Sequence, residues 1–137
     1  HCATFAVDPA VRPQAGTGIA GLILVSGRLR ADVSSENPNA GPVRIYFGAD
    51  ESKYEERSPV TYAANCDVPL MVVLAEYENP LLDIYGLEFA HRVAQTKRRA
   101  PRVFQLPGHN HNSILSHFNS GEDILGHEML DFVRKAR

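Results

Sequence analysis

The sequence has no excess of positive charge, no long apolar run and too few cysteines for a disulfide framework. Its 14 basic residues against 16 acidic ones give a net charge of −2, which argues against binding nucleic acid through a basic surface. The longest apolar runs, at residues 19–25 and 68–75, are far shorter than the ~20 residues of a transmembrane helix. Cys2 and Cys66 are the two cysteines. We therefore expect neither a nucleic-acid partner nor a membrane span.

The length and composition are those of one globular domain. The chain has 137 residues, of which 44% are hydrophobic and 22% charged, against about 150 residues for a typical domain. Residues 19–26 and 70–75 are continuously apolar, which is typical of strands buried on both faces of a parallel sheet. Residues 102–106 form a shorter strand candidate that stops at Pro107 and Gly108, a strong turn signal.

Helical patterns lie between and after these strands. An apolar stripe at residues 82, 85, 89 and 93 predicts a helix that runs to about residue 97. A second stripe runs from Leu125 to Ala136, preceded by a possible capping box at Ser120 and Asp123. Strands that alternate with helices predict an α/β fold of three layers, α/β/α, with parallel strands joined by right-handed crossovers. Three strands leave open sheet edges, so we expect further strands from an N-terminal segment of the same protein.

One glycine-rich segment matches a nucleotide-binding pattern by letter only. Residues 16–21 read GTGIAG, which fits G-x-G-x-x-G. The pattern binds phosphate only when a strand precedes it and a helix follows it. Here Pro13 precedes the segment and a strand follows it. We interpret the segment as a turn that enters a strand, and no cofactor is implied.

The histidines admit a metal hypothesis. His109 and His111 form an H-x-H pair, and His117 with Glu76 or Glu78 would supply further ligands. No acidic residue lies within the histidine loop itself, and the cysteines are far away in the sequence. We therefore assign no metal ligand and keep metal-dependent hydrolysis as the weakest alternative.

A carboxylate and a histidine follow two of the predicted strands. Glu78 lies just after strand 70–75, and His111 lies just after strand 102–106. Loops at the carboxyl ends of parallel strands converge at one edge of the sheet, where ligands bind. A carboxylate that hydrogen-bonds an imidazole fixes its tautomer and stabilises its protonated form, as a base that activates a nucleophile requires.

These motifs, in this order, resemble the C-terminal half of an α/β-hydrolase of the serine esterase/lipase type, including carboxylesterase-like and kynurenine-formamidase-like members. VVLAEYENP at residues 72–80 resembles the strand and turn that carry the acid, and LPGHNHNS at 106–113 resembles the histidine loop. SPV at 58–60, LILVSG at 22–27 and HCATFAVDP at 1–9 are similar to the segment before the acid strand, a core strand and the helix after the nucleophile. The resemblance implies the C-terminal portion of an α/β-hydrolase sheet.

The resemblance also implies a catalytic assignment. Glu78 matches the triad acid and His111 the triad histidine, with Asp83 and His109 as their substitutes if the loops are shifted in register. The chain contains neither G-x-S-x-G nor an HGGG-type oxyanion loop. The nucleophilic serine is therefore expected just upstream of His1, and residues 1–137 are expected to form a single partial domain.

The remaining expectations concern the substrate pocket and the alternative function. Residues 28–65 are expected to form a lid or pocket insertion, with Tyr46, Phe47 and Tyr54 as candidate wall residues for a small-molecule ester or acyl substrate. Core packing or surface exposure is an equally good interpretation of these three aromatic residues. The main rival function is a non-catalytic binding protein of the same fold.

Overall fold

The computed structural model describes residues 1–136 and contains five α-helices, three β-strands and two short 3-10 helices. The predicted domain extends to Arg137, which lies outside the described residues. In chain order the elements are α1 (Cys2–Val7), β1 (Leu22–Val25), α2 (Ala40–Phe47), 3-10 helices at Glu51–Lys53 and Pro59–Asn65, β2 (Leu70–Tyr77), α3 (Leu82–Lys97), β3 (Arg102–Asn110), α4 (Ser113–Ser116) and α5 (Ile124–Lys135).

The strands form one parallel sheet in the order β1-β2-β3. Leu22 of β1 pairs with Leu70 of β2, and Met71 of β2 pairs with Arg102 of β3. The predicted α/β class with parallel strands is confirmed. Because all three strands run in the same direction, the loops that follow them emerge at one edge of the sheet.

Helices cover both faces of the sheet. Successive side chains of a strand point to opposite faces, and all six residues from Leu70 to Ala75 are buried. Leu70, Val72 and Leu74 face a core shared with α1, α3 and the 3-10 helix at Pro59–Asn65. The residues between them face a second core, whose buried side chains are Met71, Val73, Ala75, Leu106, Ile114, Leu125 and Phe132. β2 is thus buried on both faces, as its apolar run predicts.

The third strand differs from its prediction. β3 continues through Pro107 and Gly108 to Asn110, with an irregular register opposite residues 75–77 of β2. Gly108 has a φ of +74°, so the expected turn becomes an irregularity within the strand. Of residues 102–106, only Leu106 is buried, and Val103 is 44% exposed. Among residues 1–136, β3 pairs with β2 alone, so the other edge of β3 has no strand partner.

The long helices match their apolar stripes, and one cap differs. α3 spans Leu82–Lys97 as predicted, and α5 ends one residue before Ala136. The N-cap of α5 is Asp123, whose carboxylate accepts a hydrogen bond from the Gly126 amide at 3.0 Å. Ser120 instead accepts from the Glu122 amide in the preceding turn. The proposed capping box is therefore wrong, since the helix begins three residues later than that box requires.

The glycine-rich segment leads from a turn at residues 14–15 into a strand, and no helix follows it directly, as predicted. Gly16 and Gly18 have φ values of +93° and +71°, which favour glycine, and the chain then enters β1 at Leu22. Within residues 1–136, no helix combines the length and the apolar character needed to cross a membrane.

Candidate active site

The edge of the sheet where the strands end brings Glu78 and His111 together. Glu78 follows β2 directly, and His111 follows β3 directly. Their side chains meet in a hydrogen bond of 2.8 Å between Nδ1 of His111 and Oε1 of Glu78. The predicted contact is confirmed, and its catalytic role stays a prediction.

The Glu78 carboxylate is held by several donors. Its side chain is only 2% exposed. Oε1 also accepts a hydrogen bond from the Asn79 amide at 2.9 Å, and Oε2 accepts one from the Ala75 amide at 3.3 Å. Burial raises the pKa of Glu78, but the Ser26 hydroxyl, these two amides and His111 outweigh it, so that the pKa lies below its ordinary value. Glu78 is therefore an anion at neutral pH.

The Glu78 contact decides which His111 nitrogen can act as a base. An ionised carboxylate accepts hydrogen bonds only, so Nδ1 of His111 carries the proton in this contact. The neutral imidazole then has its free lone pair on Nε2. The His111 side chain is 35% exposed and lines a cavity. This arrangement suits an imidazole that removes a proton from a group bound in that cavity.

Ser26 is a site residue that the sequence analysis did not assign. It follows β1 directly, is buried, and has a φ of +46°, which is uncommon for a residue other than glycine. Its amide donates to the Val73 carbonyl at 2.9 Å. The Ser26 hydroxyl has no partner at hydrogen-bonding geometry among residues 1–136, but it lies close enough to lower the Glu78 pKa. The sequence signal was a buried strand that ends in Ser-Gly at this sheet edge.

A second carboxylate connects the two loops. Oε2 of Glu76 accepts a hydrogen bond from the Gly108 amide at 2.6 Å. This contact joins the end of β2 to the irregular part of β3, two residues before Glu78 and three before His111. From the sequence, Glu76 is a candidate only as a metal ligand. Its contact instead restricts the separation of the segments that carry Glu78 and His111.

The cavity next to this pair has a volume of about 730 Å³. Ser26 and His111 lie on one side of it, and Val43, Tyr46 and Phe47 of α2 lie on another. The two predicted wall residues Tyr46 and Phe47 thus border the cavity. Residues 28–65 supply several further lining side chains, in keeping with a pocket-forming segment.

Tyr54, the third predicted wall residue, does not line the cavity. It is 5% exposed and packs with Ala31 and Val43 in a small separate core. Its hydroxyl donates to the Gly48 carbonyl. The prediction for Tyr54 is corrected, because the turn after α2 directs this ring into the interior of the segment.

The substitute residues Asp83 and His109 lie apart from the pair. Asp83 is in the first turn of α3, where its carboxylate accepts from the Ile84 amide at 2.9 Å. Nδ1 of His109 lies 3.2 Å from the Ser113 hydroxyl oxygen. The structure therefore pairs the two residues that were preferred, Glu78 and His111.

His109 belongs to a different cluster, with His117 and Glu122. One potential ligand atom from each lies within 4.8 Å of the others, and the two rings are perpendicular with centroids 3.6 Å apart. Two imidazoles and a carboxylate are a donor set that zinc accepts. None of the three lines the cavity, and His111 points to Glu78 instead. The two histidines of the H-x-H pair therefore have different partners, whereas the metal hypothesis required both to face one ion.

Comparison with known proteins adds no family assignment. Neither the protein-family models nor the curated proteins contain a match to this chain.

Proposed function

We propose that this chain supplies the acid and the base of a serine hydrolase that cleaves carboxylic esters or related acyl bonds. The observation that carries the proposal is the 2.8 Å hydrogen bond between Glu78 and His111 beside a cavity of about 730 Å³. Two adjacent parallel strands deliver these side chains to the sheet edge where α/β proteins bind their ligands. The resemblance to the α/β-hydrolases supports the same roles.

In this mechanism, Nε2 of His111 removes the proton from a serine hydroxyl as the serine oxygen attacks the substrate carbonyl. The imidazolium then gives that proton to the leaving group as the ester bond breaks. In the second half of the reaction, His111 removes a proton from a water molecule whose oxygen attacks the acyl-enzyme carbonyl. The imidazolium then gives that proton to the serine oxygen as the acid is released. Glu78 remains ionised throughout, holds the His111 tautomer and stabilises the imidazolium.

The nucleophile is proposed to be a serine outside residues 1–137, in the segment that the resemblance places just before His1. Among the described residues, His111 makes no hydrogen bond to a serine. Ser26 borders the same cavity, but among the described residues its hydroxyl makes no hydrogen bond to His111, and it favours the ionised form of Glu78. We therefore assign Ser26 as a positioning residue for Glu78.

The test uses the protein expressed from its complete reading frame and a short-chain p-nitrophenyl ester. His111→Ala should lower kcat/KM by several orders of magnitude, because the base is lost. His109→Ala is the matched control and should change kcat/KM much less. The reverse ranking of the two variants would refute the assignment of His111.

A non-catalytic binding protein of the same fold is the alternative function. A fluorophosphonate probe, which labels activated serines covalently, separates the two. The hydrolase should be labelled in the wild type and unlabelled in His111→Ala. A folded wild-type protein that neither reacts with the probe nor cleaves activated esters would favour the binding protein.

A further inference from the structure

Arg28 presents an unpaired positive charge to the cavity. It lies two residues after Ser26, and its side chain borders the same cavity as His111. Nη1 of Arg28 is buried and has no hydrogen-bond partner among residues 1–136. A guanidinium cannot lose its charge at physiological pH, and a buried donor without an acceptor is energetically costly. Because Nη1 has almost no exposed surface, an acceptor that enters the cavity would contact the other guanidinium nitrogens of Arg28.

Several other arginines among residues 1–136 have hydrogen-bond or ion-pair partners. Arg30 contacts the carboxylates of Glu88 and Glu55, and Arg102 contacts two carboxylates of α5. Arg57, which also lines the cavity, donates to the Phe47 carbonyl. Nη1 of Arg28 has no such carboxylate or carbonyl partner among residues 1–136.

No carboxylate among the described residues lines this cavity. The acid of the site, Glu78, is already bound to His111 and to two backbone amides. The cavity lining therefore combines two guanidinium groups with apolar surface from residues such as Val43, Phe47 and Leu82. A low-dielectric wall strengthens the attraction between such a charge and an anion.

We propose that Arg28 is a specificity-determining residue that binds a carboxylate of the substrate. The substrate class is then an acyl compound that has a short apolar body and a free carboxylate in addition to the bond that is cleaved. A guanidinium fits a planar carboxylate through two parallel N–H···O bonds, which makes arginine selective for this group. The inference that Arg28 selects among hydrolysed substrates rests on the proposed function. The inference that Arg28 binds a carboxylate does not.

The first experiment measures discrimination between two esters of similar length. The p-nitrophenyl hemiester of glutarate carries a carboxylate at the end of its acyl chain, and p-nitrophenyl hexanoate does not. The wild type should have the higher kcat/KM with the hemiester. Arg28→Met should lower the ratio of the two kcat/KM values by about 10- to 100-fold, as expected when a charged hydrogen bond is lost. Activity on hexanoate reports that the variant is folded.

Arg44→Met is the matched control. Arg44 lies on α2, pairs with Glu51 and does not line the cavity. Its replacement removes the same charge and should leave the ratio unchanged. If Arg44→Met lowers the ratio as much as Arg28→Met does, the effect is one of general charge and the proposal is wrong.

The second experiment measures the binding of glutarate to His111→Ala by calorimetry. This measurement does not depend on turnover. Binding that Arg28→Met abolishes supports the inference even if no ester is cleaved, in which case only the proposed function fails. The opposite outcome is hydrolysis that depends on His111, with no binding of glutarate and no preference for the hemiester. That outcome overturns the inference and leaves the proposed function intact. A carboxylate elsewhere in the complete protein that pairs with Arg28 would give this second result, together with a lower melting temperature of Arg28→Met.

Discussion

Replacing Glu78 with glutamine should disable the catalytic pair while preserving its shape. Oε1 accepts hydrogen bonds from His111 and Asn79, and Oε2 accepts one from Ala75. An amide has only one oxygen, so its NH2 group must face a donor on one of the two sides. No rotamer of the glutamine satisfies all three partners.

Each orientation of this amide has a defined consequence. With the NH2 group toward His111, Nδ1 must accept, and the proton moves to Nε2, which then cannot act as a base. With the oxygen toward His111, the NH2 group faces the Ala75 amide and leaves a buried donor unpaired, at a cost of about 1–3 kcal/mol. Both orientations thus turn the NH2 group toward a backbone amide, that of Asn79 or that of Ala75, so only part of the population holds the productive His111 tautomer. Loss of the charge that stabilises the imidazolium adds to it, for a total near 10³- to 10⁴-fold.

The assay is steady-state hydrolysis of a p-nitrophenyl ester by the complete protein. We expect kcat to fall by this factor with little change in KM, because Glu78 does not line the cavity. Asp83→Asn is the control and should stay within about threefold of the wild type, since the Asp83 carboxylate accepts a hydrogen bond from the adjacent Ile84 amide rather than contacting His111. Full activity of Glu78→Gln with a large loss in Asp83→Asn would refute the argument and make Asp83 the acid.

Two further predictions concern the surroundings of this carboxylate. Ser26→Ala should lower kcat by about tenfold or less and retain fluorophosphonate labelling, as expected for loss of a hydroxyl that only favours the ionised Glu78 carboxylate, whereas loss of labelling would make Ser26 the nucleophile. The second concerns acid stability. Because the folded-state pKa of Glu78 lies below its ordinary value of 4.5, its carboxylate stabilises the fold above pH 4.5, and this contribution is lost as the pH falls through the folded-state pKa. Chemical denaturation between about pH 5 and pH 3 should therefore show a larger loss of stability in the wild type than in Glu78→Gln, and equal losses would contradict this linkage.

The sequence determined the elements whose patterns are strong and local. The apolar run of β2 and the stripe of α3 appear in the structure as predicted, because burial on both faces of a strand and on one face of a helix leaves distinct periodicities. The contact between Glu78 and His111 was also predictable. Each residue follows its strand directly, and parallel strands end at one edge.

The contents of the cavity and the limits of the weaker elements depend on tertiary contacts. Whether Tyr54 points to substrate or to the core depends on the path of the chain after α2, for which no periodic pattern exists. The strand at residues 102–110 passes through a Pro-Gly pair because pairing with β2 overrides the local turn preference. Ser26 and Arg28 acquire their environments from β2, α2 and the loops beyond them. Such contacts join residues far apart in sequence, so no local pattern encodes them.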